Sequence, residues 1–333
     1  VALWQKSTEL DPKFPLAWRN LAQAWSHQPG DAARNKAIAA MEKAVALGDA
    51  YPTHFAELDQ LYADAGMPVE KRLSLLEKHQ AAVVQKDEGL AGLIGLKTFA
   101  GKPDESIALL KGRTFSIWEG GTRFNTGEAW TDAYLTRGLQ HYAAKQYQEA
   151  LADFDVALKY PANLRATAGV GTPNPRQTEI AYWTATAQDA LGQHDAARQG
   201  WTQVASAADN AAAGGRGGGR GGFGGNALTT RGVQRYYQAL ALRQLGKTDQ
   251  ADTILKELVS SGSSALNQPA ADVGPGRGRG AAQTPGARNA SAHYLSGLGY
   301  SGLGQKDKAR EEFNAALASA PDLLGAKLAL AQL

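Results

Sequence analysis

Apolar and small residues return at three- and four-residue spacing through most of the chain, and short polar turns interrupt them. The pattern is clearest over Tyr134–Pro161. There Gly138 sits inside the first run, Lys145–Gln146 form the polar turn, and Tyr147, Ala150, Phe154 and Ala157 mark the second run. Two amphipathic helices joined by so short a turn pack antiparallel. The same outline recurs. It predicts helix pairs at 15–49, 52–81, 87–111, 131–161, 178–206, 232–260 and 290–321, with a half repeat over 1–12 before them and a final helix over 324–333 after them. A single pair cannot bury its apolar face alone, so the pairs are expected to stack on one core as an all-α solenoid over 1–333.

The last repeat places Gly297, Tyr300, Ala309, Phe313 and Pro321 at the spacing of a repeat of about 34 residues, with His293 and Ser296 where that pattern opens on Trp and Leu. The first full repeat has Trp18, Leu21, Ala22 and Trp25, followed by Met41 and Ala44. These residues resemble the tetratricopeptide repeat family over nearly the whole chain. The resemblance implies a right-handed superhelix whose first helices line a concave wall. Within 114–205, the stretch Phe115–Gly121 with Tyr160–Pro161, Asn163–Leu164 and Ile180–Trp183 looks like the C-terminal repeats of large bacterial tetratricopeptide proteins that carry an upstream β-rich domain. That domain is similar to galactose-mutarotase-like folds, which implies a carbohydrate connection.

Equivalent small positions at 94, 138, 185, 239 and 297 lie progressively farther apart. The excess falls in four insertions, Gly112–Glu128, Ala162–Gln177, Ser206–Arg231 and Ser261–Asn289, each between a second helix and the next first helix. Loops at one topological position project from one edge of a solenoid, so these long inter-repeat loops predict a loop-bearing rim. The last two contain Gly/Arg-rich stretches, 208–228 and 262–288, that read as flexible linkers. GGRGGGRGGFGG at 214–225 resembles an Arg-Gly-Gly box, but it holds two arginines, and the linker reading outweighs RNA binding.

Composition narrows the chemistry. The formal net charge of +3 over 333 residues gives no general argument for a nucleic-acid partner. There is no cysteine, which excludes disulfides, thiol catalysis and cysteine-ligated zinc. The six histidines show no paired ligand spacing, and no phosphate loop, nucleophile elbow or catalytic carboxylate pair stands out. The expectation is a non-enzymatic chain with no cofactor or metal. No apolar run reaches the ~18–20 residues a membrane span needs. Val1 falls inside a repeat, so the chain reads as a fragment with its upstream part elsewhere. Together with the absence of cysteine, this tilts the compartment toward the periplasm or secretion.

Candidate binding residues fall in two sets. Trp118, Glu119 and Arg123, beside a glycine pair, are the kind of group that holds a sugar or peptide end, and anchoring the loop is the competing use. Tyr142, Tyr182, Tyr236 and Tyr294 fall on or near the face expected to line the groove, where they would serve either an extended ligand or helix packing. The leading expectation is an interaction scaffold that binds a partner peptide, protein or glycan on the concave face and loop rim. Two others stand beside it: the accessory region of a carbohydrate-active enzyme with an upstream catalytic β domain, and a homo-oligomer built by end-to-end stacking of open solenoid ends.

Overall fold

The computed structural model describes residues 1–48, 51–116, 125–164, 174, 176–207, 227–267 and 285–333, and every regular element among them is a helix. The chain divides into two compact units, Val1–Ala100 and Gly101–Leu333. The boundary falls inside the pair expected over 87–111.

The first unit holds α1 (Ala2–Leu10), α2 (Pro15–Ser26), α3 (Asp31–Ala46), α4 (Pro52–Asp64), α5 (Val69–Lys78), the single turn α6 (Gln80–Val83) and α7 (Asp87–Phe99). Helix α2 packs on α3, and α3 on α4, around Leu21, Ala22, Ile38, Met41, Leu58 and Tyr62. Arg72 of α5 meets Asp59 of α4 out of solvent, with Nε 2.7 Å from Oδ1 and Nη2 3.1 Å from Oδ2. Removal of the Arg72 guanidinium would strand the Asp59 carboxylate out of solvent.

The second unit holds α8 (Pro103–Lys111), α9 (Thr126–Ala143), α10 (Tyr147–Ala157), α11 (Gln177–Ala190), α12 (His194–Ser206), α13 (Ala227–Gln244), α14 (Thr248–Asn267), α15 (Pro285–Gly302), α16 (Lys306–Ser319) and α17 (Leu324–Ala331). From α9 onward the helices pair consecutively, and each second helix also packs on the next first helix. First helices α11, α13 and α15 touch one another in order, so they form one layer and the second helices the other. The small-then-aromatic pattern marks the contact between layers. Ala150 with Phe154, Ala197 with Trp201, Ala251 with Leu255, and Ala309 with Phe313 are all buried. A Cβ placed on Gly138 would lie 2.5 Å from the Phe154 ring, and one on Gly297 would lie 2.5 Å from the Phe313 ring, so glycine there sets how closely the two helices approach.

From α9 to α16, each turn within a pair closes the same way. Gly192, Gly246 and Gly304 take φ of 77°, 76° and 75°, and Lys145 takes the same place in the α9–α10 turn at 61°. The following N–H then bonds back to the carbonyl five residues earlier: Gln146 to His141 at 2.9 Å, Gln193 to Gln188 at 2.9 Å, Lys247 to Leu242 at 2.8 Å and Gln305 to Tyr300 at 2.9 Å. This closure satisfies the last carbonyls of a helix and reverses the chain at once.

Helix boundaries differ from the periodicity-based ones where capping or packing decides them. Helix α9 starts at Thr126, ahead of 131, because the Asn125 side chain accepts the Glu128 N–H at 3.1 Å. Helix α14 runs on to Asn267 through a Ser-Gly-Ser-Ser stretch of weak helix formers. Gly262 explains this extension. A Cβ there would lie 2.5 Å from the Ala292 carbonyl and 2.3 Å from Ser296 Oγ, so α14 and α15 approach at van der Waals limit along this stretch. The edges of the stretches expected as linkers, 208–228 and 262–288, are therefore helical at 227–228, 262–267 and 285–288.

Two asparagines hold the ends of an insertion. Asn163 Nδ2 donates to the Leu110 carbonyl at 2.9 Å and the Arg113 carbonyl at 2.6 Å. Asn174 Nδ2 donates to Thr131 Oγ1 at 2.7 Å and Tyr160 Oη at 2.6 Å, while its Oδ1 accepts the Arg176 N–H at 2.9 Å.

Candidate functional site

Arg176 is the last residue before α11, and Asn174 fixes its backbone against α9. Its guanidinium lies between two carboxylates from different repeats. Nε is 2.7 Å from Asp132 Oδ1 on α9, and Nη1 is 2.7 Å from Glu179 Oε2 on α11. The other Glu179 oxygen accepts a hydrogen bond from Tyr237 Oη of α13 at 2.8 Å. Glu128, one turn before Asp132 on α9, adds a third carboxylate near that of Asp132, and Tyr294 of α15 faces the same cluster. Four successive first helices thus converge on one polar centre walled by aromatic rings. The Glu179 side chain is 5% exposed, and those of Arg176 and Asp132 retain 21% and 19%, so the centre is recessed but reaches solvent.

The electrostatics follow from this enclosure. Burial raises the Asp132 carboxyl, which Glu179 raises further and Arg176 partly restores. Burial also raises Glu128, and the Asp132 charge adds to it, while Arg176 and a bond from Asn125 pull it back. Burial alone would lower Arg176, but the Asp132 and Glu179 carboxylates more than reverse this and hold its guanidinium charged. The Tyr237 and Tyr294 hydroxyls are raised by burial first and by the Glu179 charge second, so both stay protonated as donors. Arg176 is the single cation within this cluster among the described residues, against three carboxylates.

The tyrosines named by the sequence are largely packed. Tyr182, Tyr236 and Tyr294 are 7%, 8% and 6% exposed. Tyr182 and Tyr236 both meet Tyr237, with centroids 5.4 Å and 5.2 Å apart. Burial pushes Tyr236 up to about 12. Tyr294 leans on Phe313, and its hydroxyl passes so close to Gly325 of α17 that a Cβ there would lie 2.6 Å away. Tyr142 is half-buried, with Tyr147 and Trp183 each 5.3 Å from its ring. In the structure these rings pack against rings of neighbouring helices. Trp118, Glu119 and Arg123 lie outside the described residues.

Periodicity missed Glu128, Asp132, Arg176, Glu179 and Tyr237. Two weak signals were present: Glu128 and Asp132 share a helix face at four-residue spacing, and Arg176 and Glu179 are three apart at a helix start. Nothing in the spacing joins residues 132, 176 and 237, because stacking of repeats brings them together. Elsewhere in the unit, Asp153 is occupied by Arg137 at 2.6 and 2.9 Å, and Asp155 points away to Lys159, as two-residue spacing on a helix requires. His141 bonds Gln146, and among the described residues no group of three or more His, Asp or Glu could hold a metal ion. No helix among them is long and apolar enough to cross a membrane. An open cleft of about 510 Å³ lies between α10, α11 and α12 over Phe154, Ile180 and Ala185, away from the charged centre.

Among solved structures, a tetratricopeptide repeat protein from Parabacteroides merdae is 13% identical, with 93% of this chain and 98% of that one covered and a TM-score of 0.44. A chain of the Naa15/Naa10 complex bound to HypK-THB is 12% identical, with 96% and 50% covered and a TM-score of 0.40. The P58(IPK) tetratricopeptide domain is 12% identical, with 99% and 92% covered and a TM-score of 0.24. A tetratricopeptide repeat family model matches residues 235–261, across the end of α13 and most of α14. The consecutive helix pairs, their repeated turn and the small-aromatic seam, together with this match, make the fold an all-α array of tetratricopeptide-type repeats.

Proposed function

We propose that the chain is a non-enzymatic interaction scaffold that binds a partner peptide or protein across the first-helix layer of the second unit, over Arg176. The observation that carries this reading is the assembly of Asp132, Arg176, Glu179, Tyr237 and Tyr294 from four successive repeats into one recessed, water-reaching centre. Such a row offers an extended ligand polar groups at each step and aromatic edges between them. Among the described residues, Arg176 is engaged by Asp132 and Glu179, and Glu179 also by Tyr237.

The test is to pan a displayed random-peptide library against the full chain and measure enriched peptides by calorimetry. Arg176→Lys keeps the charge and loses the fork, so it is expected to weaken them about tenfold, with each peptide recovered intact. Enrichment of nothing, or equal affinity for both proteins, defeats the reading. A glycan array run in parallel separates a sugar ligand from a peptide.

Self-association is a second reading, favoured by α1, whose Leu3 and Leu10 are 86% and 76% exposed. Sedimentation velocity over a concentration series should show mass rising with concentration, and Leu3→Lys with Leu10→Lys should abolish the rise. A constant monomer mass removes it.

A further inference from the structure

The charge balance of this centre says which ligand group it is built to receive. Glu128, Asp132 and Glu179 bring three carboxylates, and Arg176 is the one described cation among them. Glu179 is fully engaged, with Arg176 on one oxygen and Tyr237 on the other. Asp132 has only its share of Arg176, and Glu128 has the Asn125 amide. Recessed carboxylates without a counter-charge are costly, and a cation brought in from outside lowers that cost.

A second, independent feature points to a missing guest. Tyr294 is 6% exposed, and its hydroxyl makes no hydrogen bond to any described residue, although it faces Glu179, Arg176 and Asp132. The oxygen itself is not sealed from solvent, so a guest can reach it. Here the ring is held by Phe313, and Gly325 leaves the hydroxyl room to point where it does.

We propose that the Glu128–Asp132 side of this centre is a subsite for a lysine or arginine side chain of the bound peptide, with Tyr294 closing over it. This rests on the scaffold reading above and names its ligand chemistry. The carboxylates flank Arg176 on different helices and do not converge, which suits an alkylammonium or guanidinium lying along them better than a metal ion, for which no cage exists among the described residues.

The experiment uses the full chain and fluorescein-labelled eight-residue peptides on one Gly/Ser/Tyr background that carry two lysines, two arginines, two glutamates or no charge. Basic peptides should bind about tenfold tighter than neutral ones and weaken as salt rises. Glu128→Gln with Asp132→Asn, near-isosteric changes, should erase that preference while neutral-peptide affinity holds. Tyr294→Phe should weaken basic peptides several-fold with an unchanged melting temperature, because the hydroxyl has no internal bond to lose. Binding without basic preference, or a preference that survives the double variant, overturns the subsite and leaves the scaffold reading standing. No binding by any peptide overturns both. Heat from calcium chloride alone that vanishes in the double variant overturns the subsite in favour of a metal.

Discussion

Gly262→Ala sets helix propensity against packing, and the two have opposite signs. In an isolated helix the change stabilises by about 1 kcal/mol, since glycine loses the most backbone freedom on folding. In this protein the new Cβ would lie 2.5 Å from the Ala292 carbonyl, 3.0 Å from the Ser296 nitrogen and 2.3 Å from Ser296 Oγ. Ser296 Oγ can rotate away, but the backbone atoms of α15 cannot. Ordinary contact begins near 3.4 Å, so α14 and α15 must part by most of an ångström, along a seam that also buries Leu255, Leu258, Leu295 and Leu298. Forced separation of a packed interface costs roughly 1–3 kcal/mol. Subtracting the propensity gain leaves a net loss of up to about 2 kcal/mol, or a melting temperature lower by as much as roughly 8 °C for a unit of this size. Exposed Ser263 on the same turn is the control. Ser263→Ala feels propensity alone and should stabilise by about 0.5 kcal/mol. Urea denaturation followed by circular dichroism measures both, and hydrogen exchange over α14 and α15 localises the effect. If Gly262→Ala gained stability as Ser263→Ala does, the close approach of these two helices would not be a constraint and the reasoning would fail.

Three further outcomes follow from the same geometry. Lys145→Gly should stabilise by about 1 kcal/mol in urea melts, because Lys145 holds φ 61° where the equivalent turns use glycine; a loss of stability would count against strain there. Tyr237→Phe removes the donor to buried Glu179 and should cost about 2 kcal/mol, whereas Tyr294→Phe should cost nearly nothing; equal costs would contradict the hydrogen-bond assignment. The folded state raises Glu128 and Asp132 above the ordinary carboxylate range, so it binds more protons than the unfolded chain just above that range. Their contribution to stability therefore falls as pH rises through the raised values, and Glu128→Gln should flatten that fall; superimposable pH profiles of the two proteins would refute it.

The helix pairs were legible in the sequence because burial of one face per helix leaves a three- and four-residue period, and small-aromatic pairs such as Gly138 with Phe154 leave a spacing. Helix ends were less legible where a cap or a neighbour decides them. Asn125 capping α9 is a one-residue signal, and the run of α14 through Ser260–Ser264 depends on α15, far along the chain. The candidate centre was hardest to read. Tyr182, Tyr236 and Tyr294 stood out because they recur in successive repeats, and recurrence is the mark of packing as much as of binding. Asp132, Arg176 and Glu179 do not recur, so no period marks them. Arg176 even lies at the edge of an insertion the sequence singled out, yet its role depends on Asn174 turning the chain back onto α9.

This origin has a consequence for how such a site can change. Tyr182, Tyr236, Tyr237 and Tyr294 belong to the same buried cluster as Ala185, Ala239, Leu255 and Phe313, so the walls of the centre are also the seams between repeats. Substitution of a wall ring alters the stacking angle of a repeat and the position of every group beyond it. The partly exposed charges of Glu128 and Asp132 carry less of this burden, because they project from one helix, α9, whose packing is set by Trp130 and Tyr134. Ligand preference should therefore be adjustable at these two positions with little loss of fold, whereas change at the tyrosines should move affinity and stability together. A set of wall and charge variants, measured for both quantities, should fall on two separate lines, and a single line through all of them would show that site and scaffold cannot be separated.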